Sequence, residues 1–274
     1  MLRSGELLDG GETLLETPRL IADALASKVR ISTLLLSEPL SIPARRLLSI
    51  AARDVEIIHL PHKTFQSLST TETSQGAMAL AAAPDWKERD LFKRSSSPPF
   101  LLIATGIQDP GNLGTILRAA EAFGVSGVIL TRGTVSPWNA KALRASSGAV
   151  LRLPILRNTT PAEVIQLLAT HGVKLYGAVA RGGCAPEELP ALQAIAIAVG
   201  AEAGGLPSEL EASATPLSIT IAPQVESLNV AAATAVILYE VARQQALQQR
   251  RAAPGGTKRG PRSTGKSRKQ ANHN

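Results

Sequence analysis

Apolar and polar positions fall into two series of alternating blocks along the chain. In "TPRLIADALAS" (17–27) the apolar residues Leu20, Ile21, Ala24 and Leu25 recur at helical spacing. Thr17 stands at the N-cap and Pro18 at the first helical position, so the stretch predicts a helix. "ISTLLLSE" (31–38) is a short, nearly continuous apolar run and predicts a buried strand. "ARRLLSIAAR" (44–53) reads as a helix, "VEIIHLP" (55–61) as a strand and the Ala-rich "GAMALAAA" (76–83) as a further strand. Helices alternating with strands imply a small α/β layer structure.

The series is interrupted at "KERDLFKRSSSPPF" (87–100), first charged and then rich in serine and proline, which discourages a regular element. Beyond it the alternation is cleaner. Strands are expected at "FLLIAT" (100–105), "GVILT" (127–131), "AVLRLP" (149–154), "VKLYGAV" (173–179), "AIAIAVG" (194–200) and "PLSITIA" (216–222). Helices are expected at 112–123, 138–146, 160–170 and 229–248. Short apolar strands separated by helices point to a parallel sheet covered on both faces, in the manner of doubly wound nucleotide-binding domains. The expected division is a front segment over 1–97, a larger domain over 98–249 and a tail over 250–274.

Composition adds limits. Hydrophobic residues make up 44% of the 274 and aromatics only 3%, so the core is aliphatic. No apolar run approaches the ~18 residues of a membrane span, so no membrane partner is expected. "MLRSGELLDG" has no apolar stretch of the kind a secretory signal needs. Cys184 is the single cysteine, which rules out an intrachain disulfide and suits a reduced, cytoplasmic setting. The net charge of +7 is concentrated in residues 250–274, which carry eight Lys/Arg and no acid. Such an arm cannot fold by itself and attracts polyanions without sequence preference; a solubility tail is the alternative. The four histidines, His59, His62, His171 and His273, are scattered, and no metal site is expected.

Three stretches carry candidate chemistry. "GIQDPGNLGTILRAAEAFG" (106–124) leads from a strand through a Gly-rich loop into a helix, an arrangement that presents free N–H groups and a positive dipole end to anions. Asn112 is placed to cap that helix, and Arg118 falls near its apolar stripe. The loop matches neither the dinucleotide fingerprint nor the P-loop. "IAIAVGAEAGGLPSEL" (195–210) ends a strand at Gly200, followed by Glu202 and the Gly204–Gly205 pair, so a ligand can approach the backbone closely. "SITIAPQVESLNVAAATAVILYE" (218–240) runs through Glu226, Ser227 and Asn229 into an Ala-rich helix; Ser227 and Asn229 are good N-cap types.

In this order and spacing, "NLGTILRAAEAFG", "VGAEAGGL" and "ESLNVAAATAVILYE" closely resemble the three signature motifs of the SpoU/TrmH branch of the SPOUT RNA methyltransferases, and "NAKALRASSGAVLRLPI" (139–155) resembles that family as well. The resemblance covers residues 100–248. The front segment, with "LLETPRLIADAL" (14–25) and "TSQGAMALAAAP" (73–84), is more loosely similar to the L30e-like RNA-binding domain of the ribosomal-RNA members.

The resemblance implies a parallel-sheet domain closed by a C-terminal trefoil knot, S-adenosylmethionine (AdoMet) as cofactor, RNA as substrate and a homodimer with the site near its interface. It implies catalytic roles for Asn112, Arg118, Glu202, Ser227 and Asn229. Gly200, Ile219, Ile221 and Leu228 would hold the cofactor, mostly through backbone groups. Where the family usually has Ile-Pro-hydrophobic, this chain has Ile219-Thr220-Ile221, with the proline later at Pro223. Arg132, Lys141 and Arg144 belong to a basic stretch that would face RNA. The implied reaction is methylation of a ribose 2′-hydroxyl, of ribosomal RNA before transfer RNA. A catalytically silent RNA-binding protein is the rival of a different class. Arginine is a poor free base because a guanidinium gives up its proton only with great difficulty, so Arg118 is expected to act with an RNA phosphate, orienting the hydroxyl.

Overall fold

The computed structural model describes residues 7–8, 10–52, 54–71, 73–93, 98–190, 192–201 and 204–252. The first series of blocks folds as β1 (Glu12–Leu15), α1 (Pro18–Ala26), β2 (Ile31–Glu38), α2 (Ile42–Ile50), β3 (Glu56–Pro61), α3 (His62–Leu68) and β4 (Ala77–Ala82). The strands form one sheet in the order β1-β4-β2-β3; β4 runs antiparallel to both neighbours and β3 parallel to β2. Thr17 caps α1 as expected, accepting from the Leu20 N–H at 3.2 Å. β1 and α3 carry patterns too short to read from periodicity.

The second series gives β5 (Phe100–Ala104), α4 (Pro110–Ala122), β6 (Gly127–Thr131), α5 (Ala140–Ala145), α6 (Ala149–Arg152), β7 (Ile155–Thr159), α7 (Pro161–Thr170), β8 (Lys174–Ala178), β9 (Ile195–Val199), α8 (Ser208–Ser213), β10 (Thr215–Leu217) and α9 (Val230–Ala252). Its six strands are parallel, in the order β10-β8-β9-β5-β6-β7. β5, β6 and β9 are buried at every position, as strands covered on both faces must be. Alternate side chains feed opposite layers. Phe100, Leu102 and Ala104 pack with Leu113, Ile116 and Leu117 of α4 and with Ile237, Leu238 and Val241 of α9. Leu101 and Ile103 pack with Val164, Leu167 and Leu168 of α7 and with Leu210 of α8. Each fully buried Leu, Ile or Val among them contributes roughly 1.5–3 kcal/mol.

Two expected strands need correction. "AVLRLP" is a helical turn, α6, in which Ala149, Val150 and Leu151 are all buried; the strand, β7, starts only after Pro154. A short apolar run does not distinguish the two states by period. "PLSITIA" keeps only its first part as strand, since β10 pairs with β8 over Thr215–Leu217. From Ser218 the chain leaves the sheet, and the Ser218 N–H donates instead to the Cys184 carbonyl at 3.0 Å.

The two sheets share one apolar cluster, which joins Leu15 and Ile21 to Leu151 and Leu153. A buried carboxylate reinforces the contact. Glu16, with its side chain 3% exposed, accepts from the Thr70 N–H at 2.6 Å, from the Thr70 hydroxyl and from Arg144 Nη1 at 3.3 Å. Removing one partner of such a pair leaves a buried charge uncompensated. Arg144→Ala, which strands the buried Glu16 carboxylate, is therefore expected to lower stability by about 3 kcal/mol in urea unfolding, and Glu16→Ala with Arg144→Ala by less than the sum of the two. A surface-like loss below about 0.5 kcal/mol would exclude this role.

Among the described residues no helix is long and apolar enough to cross a membrane, and no group of three or more potential metal ligands occurs. His59 lies on β3 against Glu38 at 2.8 Å, and His62 Nδ1 is 3.1 Å from the Ser37 hydroxyl. The chain beyond residue 252, which includes nearly all of the basic tail, lies outside the described residues.

Candidate active site

The carboxyl ends of β8 and β9 open into a cavity of about 350 Å³. Ala178, Val179 and Ala180 supply one wall and Val199, Gly200, Ala201, Gly204, Gly205 and Leu206 a second. The third comes from the segment between β10 and α9, through Ile219, Ile221, Ser227 and Leu228, and from Val230, Ala233 and Ile237 of α9. Ligands of open α/β sheets lie at this end of the strands, and the volume falls within the range of small-molecule sites. Gly200, Ile219, Ile221, Ser227 and Leu228, far apart in sequence, thus border one space.

The shape of the second wall depends on Gly200. A Cβ there would stand 2.1 Å from the Gly205 carbonyl oxygen and 2.7 Å from the Leu206 nitrogen. The chain folds back on itself at this point, Gly205 N–H donating to the Ala201 carbonyl at 2.9 Å. Backbone groups can therefore face a ligand at close range, which any larger residue would prevent. Glu202 lies outside the described residues.

Asn229 caps α9: its Oδ1 accepts from the N–H groups of Ala231 at 3.0 Å and Ala232 at 3.3 Å. Its Nδ2 donates to Asn112 Oδ1 at 3.2 Å. The first and third motifs are thereby tied together beside the cavity wall formed by Leu228 and Val230. Asn112 does not cap its own helix, contrary to expectation. α4 begins two residues earlier, at Pro110, and Asp109 is the cap, accepting from the Asn112 N–H at 2.8 Å. Pro110 suits the first helical position, where no N–H is needed.

Arg118 is exposed on α4, whereas Leu113, Gly114, Ile116, Leu117 and Ala120 are buried. It is not among the residues bordering the cavity of its own chain. The expected basic stretch also takes a different form. Lys141 pairs with Asp109 at 2.7 Å, Arg144 with Glu16, and Arg152 with Glu121 at 2.6 Å; Arg132 Nε donates to the Asn158 carbonyl at 3.2 Å. Most of these partners come from outside the stretch itself, so local charge counting overstates its free positive charge. Arg144 joins the two sheets, while Lys141 and Arg132 remain exposed. The Lys141 ammonium, followed by the Asn112 N–H, holds the Asp109 carboxyl below its ordinary range, so this cap is lost only as pH falls through that lowered value.

Sequence reasoning missed the wall at Ala178–Ala180, the cavity-lining Glu211, and Arg181. The only local signal was a strand end running into small residues, "YGAVARGG".

A glycine-walled cavity at the carboxyl edge of a parallel sheet, with side-chain amides fixed beside it, marks an α/β protein with a small-molecule site. Comparison with known proteins narrows that class. Residues 99–239 match the SpoU rRNA Methylase family and residues 9–79 the MRM3-like substrate binding domain. The chain belongs to the SpoU rRNA methylase family and is an AdoMet-dependent RNA methyltransferase. It is 32% identical over 229 residues to the Bacillus subtilis 23S rRNA (guanosine(2553)-2′-O)-methyltransferase RlmP, covering 83% of this chain and 87% of that protein. It is 36% identical over 166 residues to the Yersinia pestis 23S rRNA (guanosine-2′-O-)-methyltransferase RlmB, covering 60% of this chain and 68% of that one. Among solved structures, the SpoU methyltransferase AviRb from Streptomyces viridochromogenes in complex with AdoMet superimposes with a TM-score of 0.79 at 26% identity, covering 86% of this chain and 91% of that chain. The AdoMet-bound rRNA methyltransferase from Sinorhizobium meliloti gives 0.75 at 26% identity, covering 85% and 88%.

Proposed function

We propose that this enzyme methylates a ribose 2′-hydroxyl of 23S ribosomal RNA, in the cytoplasm, with AdoMet held in the cavity between β8, β9 and α9. The observation that carries the reading is the Asn112–Asn229 hydrogen bond beside that cavity, because it joins the two motifs expected to meet at the reacting groups. Its context is the kinship to RlmP and RlmB, both named for 2′-O-methylation of guanosine in 23S rRNA.

The cavity suits the cofactor on its own terms. Leu206, Ile219, Ile221, Leu228 and Ile237 offer apolar surface to a nucleobase, Gly200 lets backbone groups approach, and Glu211 gives one wall a negative charge suited to a cationic ligand. When bound, AdoMet supplies a methyl group made electrophilic by its sulfonium. The protein's part is to position the hydroxyl and manage its proton. Asn112 and Asn229, each fixed by the other, orient groups at the cavity edge, and Ser227 adds a hydroxyl to its wall. Glu202 serves as the acidic residue of the second motif.

Arg118 acts on the cavity of a second copy of the chain. This assignment reconciles an exposed arginine with a catalytic role. α9 leaves Val236 45% and Tyr239 54% exposed, and Tyr239 stands edge-on to Phe123 beside the end of α4 at 5.8 Å between ring centroids. A copy seated on these residues would cover apolar surface and bring α4 towards a neighbouring cavity. The planar guanidinium of Arg118 would grip an RNA phosphate and orient the 2′-hydroxyl. Threading of the chain from β8 to α9 as a trefoil knot is part of this reading, as is the division at 97/98 into an L30e-like RNA-gripping domain and a catalytic domain. Arg132 and Lys141, both exposed, contact RNA; Arg144, expected there too, braces the two domains.

Mapping 2′-O-methyl sites in RNA from cells with and without the protein tests the reading. Loss of one methyl in 23S rRNA is expected; loss confined to transfer RNA would contradict it. Removing residues 253–274, which hold six Lys/Arg, should weaken RNA binding and flatten its salt dependence, by about 0.7 in log–log slope for each single-strand phosphate no longer neutralised, while the modified nucleotide stays the same. Filter-binding titrations over a salt series measure this; an unchanged slope would deny the tail a role.

A further inference from the structure

The segment 218–229 has no helix or strand, yet it supplies Ile219, Ile221, Ser227 and Leu228 to the cavity. Its internal backbone bonding is slight, as where the Val225 N–H donates to the Ala222 carbonyl at 3.0 Å. Its shape is held from the turn after β8. Arg181 Nη2 donates to the carbonyls of Pro223 at 2.9 Å and Val225 at 3.1 Å. Two residues further on, the Gly183 N–H donates to the Ser218 hydroxyl at 3.1 Å, and that hydroxyl donates back to the Gly183 carbonyl at 3.2 Å. The Cys184 N–H donates to the Pro216 carbonyl at 2.9 Å. The two stretches lie so close that a Cβ on Gly183 would stand 2.5 Å from the Leu217 nitrogen.

Arg181 directly follows Ala178–Ala180, which form another wall of the same cavity. A single side chain thus links two walls of one site. We propose that Arg181 is a positioning residue for AdoMet, clamping the 218–229 segment in its cavity-forming shape before the cofactor arrives. The proposal rests on assigning the cavity to AdoMet. The physical basis is preorganisation: a segment already ordered pays no ordering cost on binding, whereas a loose one lowers apparent affinity by the fraction of time it is competent. Arginine suits the task because two N–H groups of one nitrogen reach two carbonyls from an exposed position.

Calorimetric titration with AdoMet is the test. Arg181→Ala is expected to raise the AdoMet Kd about tenfold, with RNA KM at saturating AdoMet and the melting temperature of the cofactor-free protein unchanged. Arg181→Lys keeps a cation on a shorter reach and should recover part of the loss. Wild-type AdoMet affinity in Arg181→Ala overturns the clamp, and so does a raised, salt-dependent RNA KM with unaltered AdoMet Kd, which makes Arg181 an RNA contact. Gly200→Val, titrated in parallel, separates the two assignments. If it binds AdoMet as well as wild type, the cavity itself has been misassigned. If it does not bind while Arg181→Ala binds normally, only the clamp fails.

Discussion

Gly200→Val is expected to abolish AdoMet binding while the protein remains folded. The position directly follows the fully buried strand β9 and has no positive φ, so valine's backbone preference is not the obstacle. The conflict lies beyond the strand. An added Cβ meets the Gly205 carbonyl carbon at 2.2 Å and its oxygen at 2.1 Å, and neither is a flexible side chain that can move aside. Gly205 and Leu206 have to shift outward, and the wall of the cavity shifts with them. A rise in Kd of at least a hundredfold, about 2.7 kcal/mol, is expected by calorimetry. Circular dichroism should be unchanged, because Gly204–Leu206 belong to no helix and to no strand of either sheet. Near-wild-type affinity would remove the cavity from the account.

Arg118→Ala is expected to lower kcat by at least about a thousandfold, some 4 kcal/mol of barrier, with AdoMet Kd within twofold of wild type. Arg118 touches no wall of its own cavity and is exposed on α4, so its removal disturbs neither packing nor cofactor. Its loss would be felt only where the 2′-hydroxyl and an RNA phosphate are held together. Arg118→Lys should rescue little, since a point charge does not reproduce a planar fork. Single-turnover methyl transfer from tritiated AdoMet gives the measurement; an unaltered rate would exclude Arg118 from the chemistry.

The contrast between these two residues shows what the sequence makes legible. The layer architecture is readable because β5, β6 and β9 are uniform apolar runs and the helices between them carry ordinary caps. The cavity is readable in part, since Gly200 lies in a stretch whose glycines interrupt the periodic pattern, whereas Ser227 and Leu228 are placed at a site only by the family resemblance. What escapes is set by contacts distant in sequence. The strand order, which inserts β9 between β8 and β5, leaves no trace in local periodicity. The departure of the chain from β10 at Ser218 depends on hydrogen bonds to residues 183 and 184. Arg144 looks like part of a free basic patch because its acid, Glu16, is 128 residues away. Asn112 looks like a cap as long as Asp109 and Pro110 are assigned to the loop.

The central claim is that a working site needs residues from two copies of the chain, the cavity of one and Arg118 of the other. Co-expression of differently tagged Arg118→Ala and Gly200→Val subunits, each inactive alone, tests it most directly. In the mixed dimer the intact cavity of the first faces the intact Arg118 of the second, so one site of two works. With random pairing, methyl transfer to RNA should return to about a quarter of the wild-type level. Dimers that contain both subunits but remain inactive would contradict the claim.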